Sequence, residues 1–126
     1  MNTVYTKAAP EAIGPYSQAI EVGEFLFTSG QIPVNPVTNE VVKGGIHEQT
    51  EQVMENLRNL LKENQKDFTN VVKTTCFLRD MADFPEFNKT YETYFIDHKP
   101  ARSTVAVREL PKNVLVEVEV IAVKSK

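Results

Sequence analysis

The sequence predicts an α+β fold, one mixed β-sheet with two helices packed on one face, and three observations predict it. The 126 residues are 41% apolar and 25% charged, a globular composition of a size that fits one domain over 1–126. Short β-type apolar runs fill the N-terminal third and the last quarter. Between them two stretches change to a helical period around one apolar strand, so the order reads strands, helix, strand, helix, strands.

The first two strands are Ala19-Ile20-Glu21-Val22 and Phe25-Leu26-Phe27-Thr28, joined by the two-residue turn Gly23-Glu24. Pro33 and Pro36 then force turn or edge geometry, and Thr38-Asn39 within Val37 to Val42 suggests a second small hairpin. From Ile46 to Asn64 the residues Ile46, Val53, Met54, Leu57, Leu60 and Leu61 fall on one helical stripe. Glu48 and Glu51 early and Arg58 and Lys62 late suit the helix dipole. Val71 to Leu78 is β-branched and aromatic enough for a buried strand. Asp83 with Glu86 three positions on resembles a capping box, with Pro85 tolerated in the first turn, and Phe84, Phe87, Tyr91, Tyr94 and Phe95 form the apolar side of a second helix. Two strands follow, Ser103 to Val107 and Val114 to Val123, joined by a turn at Pro111-Lys112-Asn113.

Alternation along the last strand puts Val114, Val116, Val118 and Val120 on one face and Leu115, Glu117, Glu119 and Ile121 on the other. Two carboxylates about 7 Å apart among aliphatics leave two readings open. The strand is either exposed and amphipathic, or its face meets another subunit with one carboxylate in a partly desolvated pocket.

Charge and motifs narrow the function classes. Fourteen Lys plus Arg against seventeen Asp plus Glu give −3 with no basic block, poor footing for phosphate backbones, and no nucleic-acid partner is expected. Cys76 is the only cysteine, so no intramolecular disulfide forms and a reducing compartment fits. No apolar run approaches the ~20 residues of a membrane span, and Met1 to Pro10 lacks a signal-peptide core, so the expectation is a soluble cytoplasmic protein. There is no Gly-x-Ser-x-Gly elbow, His47 and His98 are isolated, and Gly44-Gly45 lacks the Lys-Ser or Lys-Thr of a phosphate loop. No metal site is expected, and Cys76 reads as a buried structural thiol.

Two segments look unlike scaffold. Gly14-Pro15-Tyr16 is a rigid bend that could aim the Tyr16 hydroxyl at a ligand, or simply cap the core. Pro100-Ala101-Arg102-Ser103 sets an arginine at the mouth of a strand, either a surface residue or a bidentate clamp for a carboxylate.

With these residues the chain resembles the RidA family, the YjgF-like reactive enamine/imine intermediate deaminases. The resemblance runs from about Ala9 to Val123 and rests on Ile13 to Gln18, Thr28-Ser29-Gly30-Gln31-Ile32-Pro33, Asn88-Lys89-Thr90-Tyr91, His98 to Ser103 and Val116-Glu117-Val118-Glu119, five pieces in order. It implies a chorismate-mutase-like fold and a homotrimer whose sheets close into a barrel-like core, with small-molecule sites in clefts between subunits. It also implies hydrolysis of 2-imino acids such as 2-iminobutanoate and 2-iminopropanoate to 2-oxo acids and ammonia, without metal or organic cofactor. By the same resemblance the carboxylate-binding arginine falls on Arg102 and the water-positioning acid on Glu117. Tyr16 and Ser29 line the cleft, Gly30 contributes backbone, Ser103 and Thr104 adjoin the clamp, and Asn88 supports it. Thr104 stands where the family commonly has cysteine, so its expected contact with substrate is through the backbone amide, and Val107-Arg108-Glu109-Leu110-Pro111 departs from the usual Val-Ala-Arg-Leu-Pro.

The residues suit that chemistry. An imine carbon is already electrophilic, so fixing the carboxylate, delivering water and protonating nitrogen suffice. Arg102 can do the first and Glu117 the second, with Glu117 or Tyr16 relaying the proton. Two other readings compete: a non-catalytic regulatory module that binds a small carboxylic acid, and a ribonuclease or translation inhibitor.

Overall fold

The computed structural model describes residues 1–124. Six strands form one sheet in the order β1 (Asn2–Val4), β2 (Ala19–Val22), β3 (Phe25–Thr28), β8 (Val116–Val123), β6 (Val71–Leu78) and β7 (Ala101–Ala106). Neighbours run antiparallel except β6 and β7, which are parallel, so the sheet is mixed. The ribbon of β4 (Val34–Asn35) and β5 (Glu40–Val41) lies apart from it. Helices α1 (Ile46–Glu63) and α2 (Phe84–Glu92) pack against each other on one face of the sheet.

The α1 stripe does what its period predicts: Val53, Met54, Leu57, Leu60 and Leu61 are fully buried. Its N-terminus is closed by the Glu48 carboxylate, which accepts from the Gly45 amide at 2.9 Å. Opposite the helices, β8 offers Val116, Val118, Val120 and Ala122, and β6 offers Val71, Thr74, Cys76 and Leu78, all buried. The core lies between these layers, and α2 adds Phe87 and Tyr91 to it.

Among the described residues the other sheet face carries no helix. Register places Val22, Phe25 and Phe27 beside Ile121 and Val123 there, with Glu117, Glu119, Phe77 and Val105 further along. Val22, Phe25, Phe27 and Val105 are 42–45% exposed, so this face leaves large apolar side chains open beside the Glu117 and Glu119 carboxylates.

Several boundaries differ from the sequence expectation. Strand β1 was not expected; it pairs Asn2–Val4 with β2. The small hairpin uses Val34–Asn35 and Glu40–Val41, and Val37 sits in its loop, where Asn39 takes φ 62. Asp83 forms no side-chain cap on α2. Asp80 does the capping instead, accepting from the Ala82 amide at 2.9 Å in a 3₁₀ turn that runs straight into the helix. Tyr94 and Phe95 lie beyond the end of α2 yet still pack on the core. Strand β7 starts at Ala101, so Arg102 is inside the strand and not at its mouth. Among the described residues no helix is long and apolar enough to cross a membrane.

Candidate functional site

Arg102 owes its position to the parallel pairing of β7 with β6, which sets it opposite Thr74 and turns it toward the helices. There α2 receives it. Asn88 Oδ1 accepts from Arg102 Nη1 at 2.6 Å, and the guanidinium carbon lies 5.3 Å from the Phe84 ring centre and 4.8 Å from that of Tyr91. The Tyr91 hydroxyl shares a 2.8 Å hydrogen bond with Thr74 Oγ1, and burial pushes its phenol up to about 12. A cavity of about 370 Å³ opens here, lined by Asn88, Tyr91, Glu92, Lys99 and Arg102 among others.

The residues after Arg102 alternate. Ser103 faces the helix-free side, where its hydroxyl accepts from Lys73 Nζ at 3.1 Å. Thr104 returns to the helix side, its hydroxyl oxygen buried close to the Cys76 thiol, which burial pushes up to about 11. Strand β7 is an edge of the sheet. The Val107 amide bonds back to Leu78 O at 2.9 Å, and backbone amides alternate sides, so those of Arg102 and Thr104 point out along the open edge. The Thr104 side chain is thus internal while its amide faces outward.

Glu117 sits on the opposite face. Its β8 register partner is Phe77, on the helix-free side with Glu119 and Thr75. Half-burial raises its carboxyl pKa above the ordinary value, and the Glu119 charge raises it further. Gly30 lies against it, held by reciprocal bonds of Gln31 and Val118 at 2.8 and 3.1 Å. A Cβ at Gly30 would fall 2.0 Å from Glu117 Oε2, so the close approach requires glycine. Ser29 donates its hydroxyl to Ser17 O at 2.6 Å, tying this corner to the Tyr16 bend, where the Tyr16 amide closes on Gly14 O at 2.9 Å. Tyr16, half exposed, shares a cavity of about 310 Å³ with Gly30, Gln31 and Lys112. That bend is braced by the buried Gln18 amide, which accepts from the Thr6 amide and donates to Thr6 O and Pro10 O.

The candidate residues therefore fall into two separate clusters. Tyr16, Ser29, Gly30 and Glu117 gather at one place, and Arg102, Asn88 and Thr104 at another, on opposite faces of the sheet. Thr74, Phe84 and Tyr91 around the guanidinium were not singled out as site residues from the sequence. The spacing of Phe84, Asn88 and Tyr91, one helix stripe, was the available signal. His47 and His98 lie elsewhere, bonded to Thr90 Oγ1 and Val71 O.

The chain matches the family model described as endoribonuclease L-PSP over residues 6–124. A RutC family protein of Pyrococcus abyssi is 51% identical over 121 residues, 96% of this chain and 95% of that protein. A Yersinia pestis structure of the conserved Rid protein family superposes with TM-score 0.95 at 46% identity, covering 97% of this chain and 98% of that one. The E. coli protein TdcF, solved with bound serine, superposes with TM-score 0.94 at 38% identity over 99% of this chain and 100% of its own. The motifs read from the sequence, the two-helix mixed sheet and these matches agree, and the chain belongs to the endoribonuclease L-PSP family, the RidA or YjgF-like family.

Proposed function

We propose that the protein is a hydrolytic deaminase of small 2-imino acids, working at composite sites between the protomers of a homotrimer. The observation that carries the reading is the state of Arg102. Two arginines contact pairs of aromatic rings: Arg58 lies 5.4 and 5.3 Å from the centres of Phe68 and Tyr94, much as Arg102 lies by Phe84 and Tyr91. Arg58 also has Glu55, at 3.2 Å. Arg102 has only neutral partners, Asn88 and the Tyr91 hydroxyl, and among the described residues no carboxylate oxygen lies within 4.0 Å of its nitrogens. A held, partly buried guanidinium without a counter-ion is suited to an external carboxylate.

In the reaction the substrate carboxylate pairs with Arg102 and the outward Thr104 amide. Glu117 accepts a proton from water as the water oxygen bonds to the imine carbon, and the C=N bond becomes a C–N single bond. The proton passes from Glu117 or the Tyr16 hydroxyl to nitrogen to give a carbinolamine. A second proton then moves from the new hydroxyl through Glu117 to nitrogen as C–O becomes C=O and the C–N bond breaks, releasing ammonia and a 2-oxo acid. The raised pKa of Glu117 suits a group that must both take and return a proton. Because Arg102 and Glu117 occupy opposite faces, one substrate can meet both only if they come from different chains. A head-to-tail contact of this kind closes into a trimeric ring when each step rotates by a third of a turn, and the helix-free face, with Val22, Phe25, Phe27 and Val105 exposed, is the surface such a ring would cover. The bound serine of TdcF, a small amino acid with one carboxylate, is also compatible with a second reading, a non-catalytic sensor of such acids.

The family's endoribonuclease description suggests nucleic acid, against which weigh the net charge of −3 and the absence of any basic block. The deciding experiment generates 2-iminobutanoate with an amino-acid oxidase and measures 2-oxobutanoate release with and without the protein. Acceleration that is lost in Glu117→Gln supports the deaminase. No acceleration, with 2-oxo acids still bound, supports the sensor.

A further inference from the structure

Resting on the reading of Arg102 as a carboxylate clamp, we infer that Phe84, Asn88, Tyr91 and Thr74 form an uncharged cradle that orients the guanidinium and keeps its charge available, with Asn88 and Tyr91 as positioning residues. Phe84, Asn88 and Tyr91 stand at i, i+4 and i+7 of α2, so one helix stripe presents two rings and an amide to the same side chain. The Asn88 bond at 2.6 Å occupies one of the five guanidinium N–H donors and the Tyr91 hydroxyl engages another, which leaves donors for a ligand.

Tyr91 is itself held. Its hydroxyl is bonded to Thr74 Oγ1 at 2.8 Å, Thr74 is fully buried, and Thr74 is the register partner of Arg102 on the adjacent strand. Ring, strand and arginine therefore form a closed triangle in which rotation of one moves the others. Neutrality is kept as well: the Tyr91 phenol at about 12 and the Cys76 thiol at about 11 stay protonated through the physiological range. Glu92 lines the same cavity but makes no ion pair with Arg102. No carboxylate of the described residues therefore pairs with Arg102 where a substrate carboxylate would bind.

The test uses three variants of the full chain, Asn88→Asp, Tyr91→Phe and Arg102→Lys. Pyruvate affinity is measured by calorimetry, kcat and KM with 2-iminobutanoate, and stability by thermal unfolding. Asn88→Asp supplies an isosteric carboxylate beside Arg102; it should leave unfolding unchanged or raised, weaken pyruvate binding about 10- to 100-fold and raise KM more than it lowers kcat. A residue that only supported the fold would not weaken binding while stability held. Tyr91→Phe keeps the ring and loses the hydroxyl's bonds to Thr74 and Arg102, and should weaken pyruvate binding roughly 3- to 10-fold. If both variants bind pyruvate like the parent while Arg102→Lys does not, the cradle inference is overturned and the clamp reading stands. If Arg102→Lys also binds normally, the clamp reading falls and takes the cradle with it.

Discussion

At Gly30 the backbone passes so close to Glu117 that one methyl group would have to displace the carboxylate. Gly30→Ala should therefore fold and assemble normally, because the obstructing atoms belong to a side chain that can swing away. On the proposed mechanism turnover should fall about 100-fold, the loss that a one-ångström displacement of a catalytic group can cause, as kcat on a purified variant of unchanged unfolding midpoint would establish. Glu117 carries a second consequence. Its pKa is raised in the fold, so the native state holds that proton more tightly than the unfolded chain. The parent should lose stability as pH climbs from the ordinary carboxylate value of 4.5 through the raised value. Glu117→Gln has nothing there to titrate. It should be the more stable protein near neutrality, with the advantage vanishing well below pH 4.5, while its kcat falls on the order of 10²–10⁴. Urea midpoints at several pH values test the stability half, and a variant less stable at neutrality would contradict the burial argument. Arg102 and Glu117 were legible in the sequence as residue types. The face of Glu117 followed from alternation, but that of Arg102 depends on the β6–β7 register, which long-range pairing sets and no local pattern announces.

Among the elements, α1 and β8 were readable because single-period stripes leave little choice: Leu57 and Leu61 can only go inward, and Val116, Val118 and Val120 only face them. Strand β1 was not readable, since Asn2-Thr3-Val4 is too short to show a period and is a strand only because β2 pairs with it. The start of α2 was legible, with Asp83 at its N-cap and Pro85 in the first turn, but the capping box was not formed, because the preceding 3₁₀ turn is capped by Asp80 and leaves the Asp83 side chain without a capping bond. Gln18 was read as part of a motif, whereas in the fold it is the brace of the N-terminal segment, only 3% exposed. Gln18→Ala would leave the Thr6 amide and the Thr6 and Pro10 carbonyls without their partner, at a cost of roughly 1–3 kcal/mol. A matching drop in the urea midpoint is expected, and KM should rise as well, because the Tyr16 bend rests on the same amide. A KM unchanged in a destabilised Gln18→Ala would separate the brace from the site.

At the scale of the whole molecule, the proposed chemistry needs more than one chain. The sheet separates Arg102 from Glu117, and its helix-free face leaves Val22, Phe25, Phe27 and Val105 uncovered. Ring assembly would address both at once, and light scattering should then report about three times 14.2 kDa. Subunit mixing tests the central claim most directly. Arg102→Ala and Glu117→Gln are each purified inactive, unfolded together at equal concentration, refolded and assayed for 2-iminobutanoate hydrolysis. If each site takes Arg102 from one protomer and Glu117 from its neighbour, random assembly leaves about a quarter of the sites with both native residues, and about a quarter of parental activity should return. If mixed trimers form, as a distinguishing tag on one variant would verify, and the activity stays at the level of the separate variants, the two residues do not act together across an interface and the composite site is contradicted.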